Sequence, residues 1–222
     1  MFPNDAQLEL LLLAGGESIR MGTDKFLLPH PSGQPLYLHL LDEIKRTMPW
    51  IENVYLSLHG PVQGSLVENK ARNELHIIYD RDAIHDGPDS TDLRIGPAAG
   101  LLSAYRQNNS AHWFVLACDY PLITAQELLR LMDEYEGPVT CFQNSDGFSE
   151  PLLAIWSPDA LKHLERNVAN GKNSVSRVIQ ELSGKRIRPI KDQNIFNCNT
   201  MEEWRKILQL LEATPKQYDH DP

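Results

Sequence analysis

Leu10-Leu-Leu-Leu-Ala-Gly-Gly-Glu-Ser-Ile-Arg20-Met-Gly-Thr-Asp-Lys25-Phe-Leu-Leu28 joins an apolar strand, about Leu8 to Ala14, to a glycine-punctuated loop that carries two cations. Gly15 and Gly16 have no Cβ, so successive backbone N–H groups there can come close to an anion, and Arg20 and Lys25 supply neutralising charge. The order contains neither the G-x-x-x-x-G-K-[ST] of a P-loop nor the G-x-G-x-x-G of a dinucleotide fold, which implies a different phosphate loop. A plain tight turn is the competing role for the two glycines. In open α/β sheets ligands bind at the carboxyl ends of the strands, where this loop must lie.

Working outward, apolar runs of strand length alternate with helical patterns almost to the end, the mark of βαβ units and a mostly parallel sheet covered on both faces. Tyr37, Leu40, Leu41, Ile44 and Met48 recur at helical spacing after Pro35. Asn53 to His59 and Leu75 to Tyr79 read as strands with a short helix near Ser65 to Asn73 between them. Pro97 opens a helix that ends near Asn108, and His112 to Ala117 reads as the fourth strand. Thr124 with Glu127, and Thr200 with Glu203, have the spacing of capping boxes ahead of helices. Val139 to Gln143 and Leu152 to Trp156 are two further strands, with an antiparallel excursion as one way to join them. Two helices follow, around Leu161 to Val168 and Val175 to Leu182, and Lys185 to Ile190 and Ile195 to Cys198 read as short late strands. The expected architecture is α/β in three layers, with a mixed, mostly parallel sheet. Residues 1–214 read as one domain and 215–222 as a polar tail.

A chain of 222 residues with 41% hydrophobic content is long enough to bury a core. Its net charge of −9 opposes binding to nucleic acid or to an anionic membrane surface, so the local cations are set to face a small anion. No basic segment followed by an apolar one opens the chain, and no run has the length of a membrane span, from which a soluble, cytoplasmic protein is expected. Three widely spaced cysteines without a C-x-x-C pair indicate buried thiols rather than disulfides or a zinc site. The eight histidines include no H-E-x-x-H, and no G-x-S-x-G elbow is present.

A second constellation is Phe114-Val-Leu-Ala-Cys-Asp119-Tyr-Pro121, an apolar strand that empties into one carboxylate. Mg²⁺ is commonly held by one or two carboxylates together with substrate phosphates and water, so Asp119 is chemically sufficient as a metal ligand; a cap or turn is its alternative role. Asp24 can position Lys25 by an ion pair. Gly96-Pro-Ala-Ala-Gly100 is a helix entrance whose small residues admit either a ligand or close packing. Asn197 and Asn199 precede a capped helix; asparagines there usually make turns, yet either can meet a phosphate, a metal-bound water or a substrate ring. Lys172, ahead of another helix, is a basic candidate for a second anionic substrate, against the default of a solvated lysine.

Taken together, Leu13-Ala14-Gly15-Gly16, Arg20-Met21-Gly22, Asp24-Lys25, Gly33-x-Pro35-Leu36, Gly96 to Gly100, Cys118 to Pro121, Glu150-Pro151-Leu152 and Asn197-x-Asn199-Thr200 resemble the molybdenum cofactor guanylyltransferases, the MobA-like nucleotidyltransferases. The resemblance runs in one order from Leu8 to Trp204. It implies a Rossmann-like fold of the nucleotide-diphospho-sugar transferase type that binds GTP and Mg²⁺ and joins GMP to the terminal phosphate of the molybdopterin cofactor. It also implies transient contacts with enzymes that make or accept that cofactor. Carried over by position, Leu13, Ala14, Gly15, Gly16 and Lys25 would hold the triphosphate, Asp80 and Gly100 would lie around the nucleotide, Asp119 would bind Mg²⁺, and Asn197 and Asn199 would meet acceptor or metal. The sequence departs from the family at Ser57 and His59, where relatives often carry asparagines, and in the long Asp80 to Arg94 stretch. The block around Lys172 also lacks an arginine that some relatives have. The expected reaction is in-line attack of an acceptor phosphate oxygen on the α-phosphorus, with Arg20, Lys25 and Asp119 neutralising charge. Cytidylyl or other nucleotidyl transfer to a different phosphorylated acceptor such as a sugar phosphate, and nucleotide binding without catalysis, are the competing readings.

Overall fold

The computed structural model describes residues 6–16, 21–80 and 95–213. Arg20, the 81–94 stretch and the tail lie outside the described residues. In chain order the elements are β1 (Leu8–Leu13), α1 (Leu36–Thr47), β2 (Val54–Leu58), α2 (Pro61–Ser65), α3 (Asn69–Arg72), β3 (His76–Tyr79), α4 (Pro97–Gln107) and β4 (His112–Ala117). There follow α5 (Ala125–Asp133), β5 (Val139–Gln143), β6 (Ser149–Trp156), α6 (Pro158–Ala169), α7 (Val175–Glu181), β7 (Lys185–Ile187) and α8 (Met201–Ala213).

The strands form one seven-stranded sheet in the order β3-β2-β1-β4-β6-β5-β7. All neighbours are parallel except β6, which runs against both β4 and β5. This is the mixed, mostly parallel sheet that the alternating pattern predicts. β1 lies between β2 and β4, and Leu10, Leu11 and Leu12 are fully buried. Burying each such side chain contributes about 1.5–3 kcal/mol, which explains why a strand covered on both faces reads as an unbroken apolar run.

Period-two alternation sends side chains to two separate cores. Leu10, Leu12, Phe114, Leu116, Leu153 and Ile155 pack on one face with residues of α1, α5 and α8, while Leu11, Trp113, Val115, Ala154 and Trp156 pack on the other with α4, α6 and α7. Parallel strands on β4's side all end toward the Gly15 loop, so the chain's loops at that edge are the ones that can share a ligand.

Four local expectations are corrected. The single helix near Ser65 to Asn73 is two short ones, because the Glu68 N–H donates to the Tyr37 hydroxyl at 2.9 Å and the Gly64 carbonyl accepts instead from Val67 and the Arg72 guanidinium. Ile195 to Cys198 is not a strand: a 3-10 turn covers Asp192–Ile195, and the sheet ends with β7. Pairing of β7 stops at Ile187, short of the predicted Ile190, just ahead of Pro189, whose nitrogen has no hydrogen to offer a ladder. The first capping box is half formed. Thr124 Oγ1 accepts the Glu127 N–H, but the Glu127 carboxylate is turned inward to the backbone at Ile190 and Lys191. The second is complete, with Glu203 N–H on Thr200 Oγ1 and Thr200 N–H on Glu203 Oε2.

Candidate active site

Lys25 opens a 3-10 turn, Lys25–Leu27, whose Phe26 is fully buried and meets Tyr37 edge-on with ring centroids 5.6 Å apart. That anchor aims the lysine across the end of the sheet. Its ammonium donates to Asn199 Oδ1 at 2.7 Å and to Asp119 Oδ2 at 3.2 Å. Asn199 Nδ2 in turn donates to Asn197 Oδ1 at 2.7 Å. Asp119 stands just past β4, and its carbonyl accepts the Cys198 N–H at 2.8 Å, which staples the late segment to the strand end. Four residues singled out from the sequence, Lys25, Asp119, Asn197 and Asn199, thus form one cluster.

The side chains of Lys25 and Asp119 are only 21% and 17% exposed, so water screens this pair much less than a surface ion pair. Burial raises the Asp119 carboxyl above its ordinary value, while the Lys25 charge and the Asn197 side chain pull it back down. Its second oxygen, Oδ1, is buried and has no hydrogen-bond partner among the described residues. A buried carboxylate oxygen without a donor fits a cation ligand, since leaving such an atom unmet costs about 1–3 kcal/mol. The donors gathered here are carboxylate and amide oxygens, the set that Mg²⁺ and Mn²⁺ prefer. No group of three or more His, Cys, Asp or Glu side chains suited to a metal occurs among the described residues. A cation held by Asp119 would need further oxygens from amides, water or a bound phosphate.

A second group surrounds Asp80, at the end of β3. The Ser57 hydroxyl donates to its Oδ1, and burial, the largest influence, raises its carboxyl while Ser57 and His59 lower it. Gly15 and Gly100 flank it closely. A Cβ on Gly15 would overlap the Asp80 carboxylate and lie 2.8 Å from the His59 nitrogen, and one on Gly100 would overlap Leu13 and lie 2.9 Å from Ser57 Oγ. Ser103 Oγ donates to the Tyr79 carbonyl at 2.9 Å and so ties α4 to the residue before Asp80. Leu13 and Ala14 lead into this wall, with the Ala14 N–H on the Ser57 carbonyl at 2.9 Å, and Gly16 is exposed beyond it.

Lys172 is exposed in the turn between α6 and α7, and its ammonium makes no hydrogen bond or ion pair among the described residues. Asp24 accepts from Gln63 Nε2 at 2.6 Å, and Gln63 Oε1 accepts the His59 N–H at 2.8 Å, so Gln63 bridges the lysine loop to the end of β2. Behind Asp119, the Tyr120 hydroxyl donates to Glu150 Oε2 at 2.8 Å, and Asn144 holds Glu150 Oε1 at 2.9 Å. Sequence reading did not find the roles of Gln63 and Glu127. Ser57 had a visible signal, a hydroxyl inside the otherwise apolar run Val54-Tyr55-Leu56-Ser57-Leu58.

The MobA-like NTP transferase domain matches residues 10–187. A Synechocystis molybdenum cofactor biosynthesis bifunctional protein is 28% identical over 201 residues, covering 89% of this chain but 52% of its own length, so the chain spans about half of that relative. A probable molybdenum cofactor guanylyltransferase of Thermococcus kodakarensis is 27% identical over 90% of this chain and 93% of its own. The crystal structure of molybdopterin-guanine dinucleotide biosynthesis protein A from Archaeoglobus fulgidus superposes with a TM-score of 0.69 at 19% identity, over 93% of this chain and all of the other. No helix among the described residues is long and apolar enough to cross a membrane.

Proposed function

Because the chain belongs to the MobA-like NTP transferase family, we propose that this nucleotidyltransferase moves GMP from GTP to the phosphate of the molybdopterin cofactor and releases pyrophosphate. The observation that carries the reading is the Lys25 ammonium between Asp119 and Asn199, beside a buried Asp119 oxygen without a donor.

An acceptor phosphate oxygen attacks the α-phosphorus in line. The new P–O–P bond forms as the bond to the β-phosphate oxygen breaks, and the electron pair leaves with pyrophosphate. The acceptor is already ionised at neutral pH, so no protein nucleophile is needed. Lys25 and Arg20 offset charge on the departing pyrophosphate, and the backbone from Leu13 to Gly16 lets the phosphates approach. Asp119, with Asn197 and Asn199 near it, would hold Mg²⁺. That ion, when bound, would screen the phosphate oxygens and lower the barrier to charge build-up. Lys172 is assigned to the acceptor's charge.

Ser57, fully buried, gives its hydroxyl to Asp80 Oδ1, and Asp80 is the group that would favour guanine. Its Watson–Crick edge offers the N1–H and N2–H donors, and a carboxylate is acceptor-only with two oxygens to receive them. Adenine offers an acceptor at N1 and loses that match.

The test is pyrophosphate release from GTP, CTP, ATP and UTP, each paired with molybdopterin and with a panel of sugar phosphates. Release confined to GTP with molybdopterin is expected. Preference for CTP or for a sugar phosphate overturns the assignment. Binding with no release across every pair favours a carrier. Thermal shift with Mg²⁺ ranks the bases beforehand, since a nucleotide at 100 times its Kd adds about 2.7 kcal/mol.

A further inference from the structure

Asn199 reaches Lys25 from a segment that is neither strand nor α-helix between Ile190 and Thr200, so its backbone donors must be met by other groups. Two carboxylates meet four of them. Glu127, in the first turn of α5 and fully buried, accepts the Ile190 N–H at 2.7 Å, the Lys191 N–H at 3.2 Å and Asn194 Nδ2 at 3.0 Å, all on Oε1. Glu203 Oε2 accepts the Asn199 N–H at 2.7 Å and the Thr200 N–H at 2.9 Å. Between these anchors the Cys198 N–H sits on the Asp119 carbonyl.

We propose that Glu127 is a positioning residue for the phosphate site, fixing the 190–194 turn to the helix that leads away from Asp119 so that Asn199 is delivered to Lys25. The inference rests on reading Lys25, Asp119 and Asn199 as the phosphate and metal cluster. Helix capping does not account for the arrangement, because a capping Glu127 would turn to the Thr124 N–H at the helix end. It points inward, and its Oε2 is buried without a hydrogen-bond partner among the described residues. Burying a carboxylate is a poor way to add stability, since desolvation offsets much of the attraction. What Glu127 does supply is three bonds on one acceptor oxygen across 63 to 67 residues of chain. Coupling of this kind sets the placement of a ligand group, and a displacement of about 1 Å at such a group can cost on the order of a hundredfold.

The test compares Glu127→Ala, Glu127→Gln, Asn199→Ala and the Glu127→Ala/Asn199→Ala double variant in the whole chain. Amide hydrogen exchange is read without ligand, and Mn²⁺–GTP affinity by calorimetry. Glu127→Ala is expected to lose protection at Cys198, Asn199 and Thr200 while β4 and α5 keep theirs, and to weaken affinity about tenfold. Glu127→Gln, which keeps an acceptor oxygen, retains both within about threefold. The double variant binds no worse than Asn199→Ala, because the two residues act through one contact. Losses that multiply in the double variant, or unchanged exchange at Cys198 and Asn199 in Glu127→Ala, overturn the proposal. If Glu127→Ala does not fold, Asn194→Ala removes one of the three bonds and must move exchange in the same direction. A wild-type chain that binds no Mn²⁺–GTP sinks the guanylyl reading instead, and exchange in the ligand-free protein still decides the tether.

Discussion

The Lys25 ammonium lies 2.7 Å from Asn199 Oδ1, across 174 residues of sequence. The same ammonium is 3.2 Å from Asp119 Oδ2, so one cation joins the first loop, the end of the fourth strand and the entry to the last helix. Such a centre responds to the loss of any member.

Lys25→Ala is expected to fold, since Phe26 and not the ammonium anchors the turn, and to lower kcat about 10²–10³-fold, the usual cost of one preorganised charge. Circular dichroism with steady-state pyrophosphate release checks both parts.

Asp119→Asn should separate stability from activity. Because burial raises this carboxyl in the folded state, the folded form binds a proton more readily than the unfolded chain, and the charged form opposes folding as pH rises through the raised value. The amide mimics the protonated acid, so the variant is expected to be at least as stable as wild type at pH 7. Its advantage vanishes below the ordinary carboxyl value of 3.8. Urea midpoints across pH, beside an activity that falls to background, are the readout.

Gly100→Ala replaces a helical glycine, a change that normally gains about 0.5–1 kcal/mol. Here the new Cβ meets Leu13 and Ser57, so overpacking of about 1–3 kcal/mol prevails and Tm falls by roughly 2–4 °C for each kcal/mol. Gly60→Ala, with open space around its Cβ, is the control and should leave Tm unchanged.

His30 gives the fold an acid limit. Burial, then the charge of His39 stacked on it at 3.6 Å, lowers its pKa from 6.5 to about 4. Its Nδ1 accepts the Ser32 N–H at 3.1 Å and must stay unprotonated to do so. Between those values the unfolded chain binds more protons, so stability is full above pH 6.5 and declines toward pH 4. His30→Asn, which keeps an acceptor, should flatten that slope in urea titrations at constant ionic strength.

Elements whose fate is decided by neighbours in the chain were legible before any coordinates. His112 to Ala117 has its expected bounds because a six-residue apolar run between turn residues has few alternatives. The approach of Lys25 to Asp119 followed from the rule that strand ends share a ligand edge. Glu127 and the Ile195 to Cys198 segment were misread for the converse reason. The Glu127 partners Ile190 and Asn194, and the Asp119 carbonyl that takes the Cys198 N–H, lie more than sixty residues away, and neither capping spacing nor apolar periodicity carries that information. Lys172 stands out in the sequence only by its charge, and nothing local to it foretells whether an exposed ammonium acquires a partner.

The pairing of Lys25 with Asn199 also sets an order of events during synthesis. At about 5–20 residues per second, the ribosome needs roughly 10 to 35 s to pass from the lysine codon to the asparagine codon. A nascent chain that has already laid β1 against β4 still lacks one arm of its cationic centre. On the reading of that cluster as the phosphate site, chains ending short of Asn199 lack the Asn199 oxygen on Lys25 and are expected to bind triphosphate more weakly.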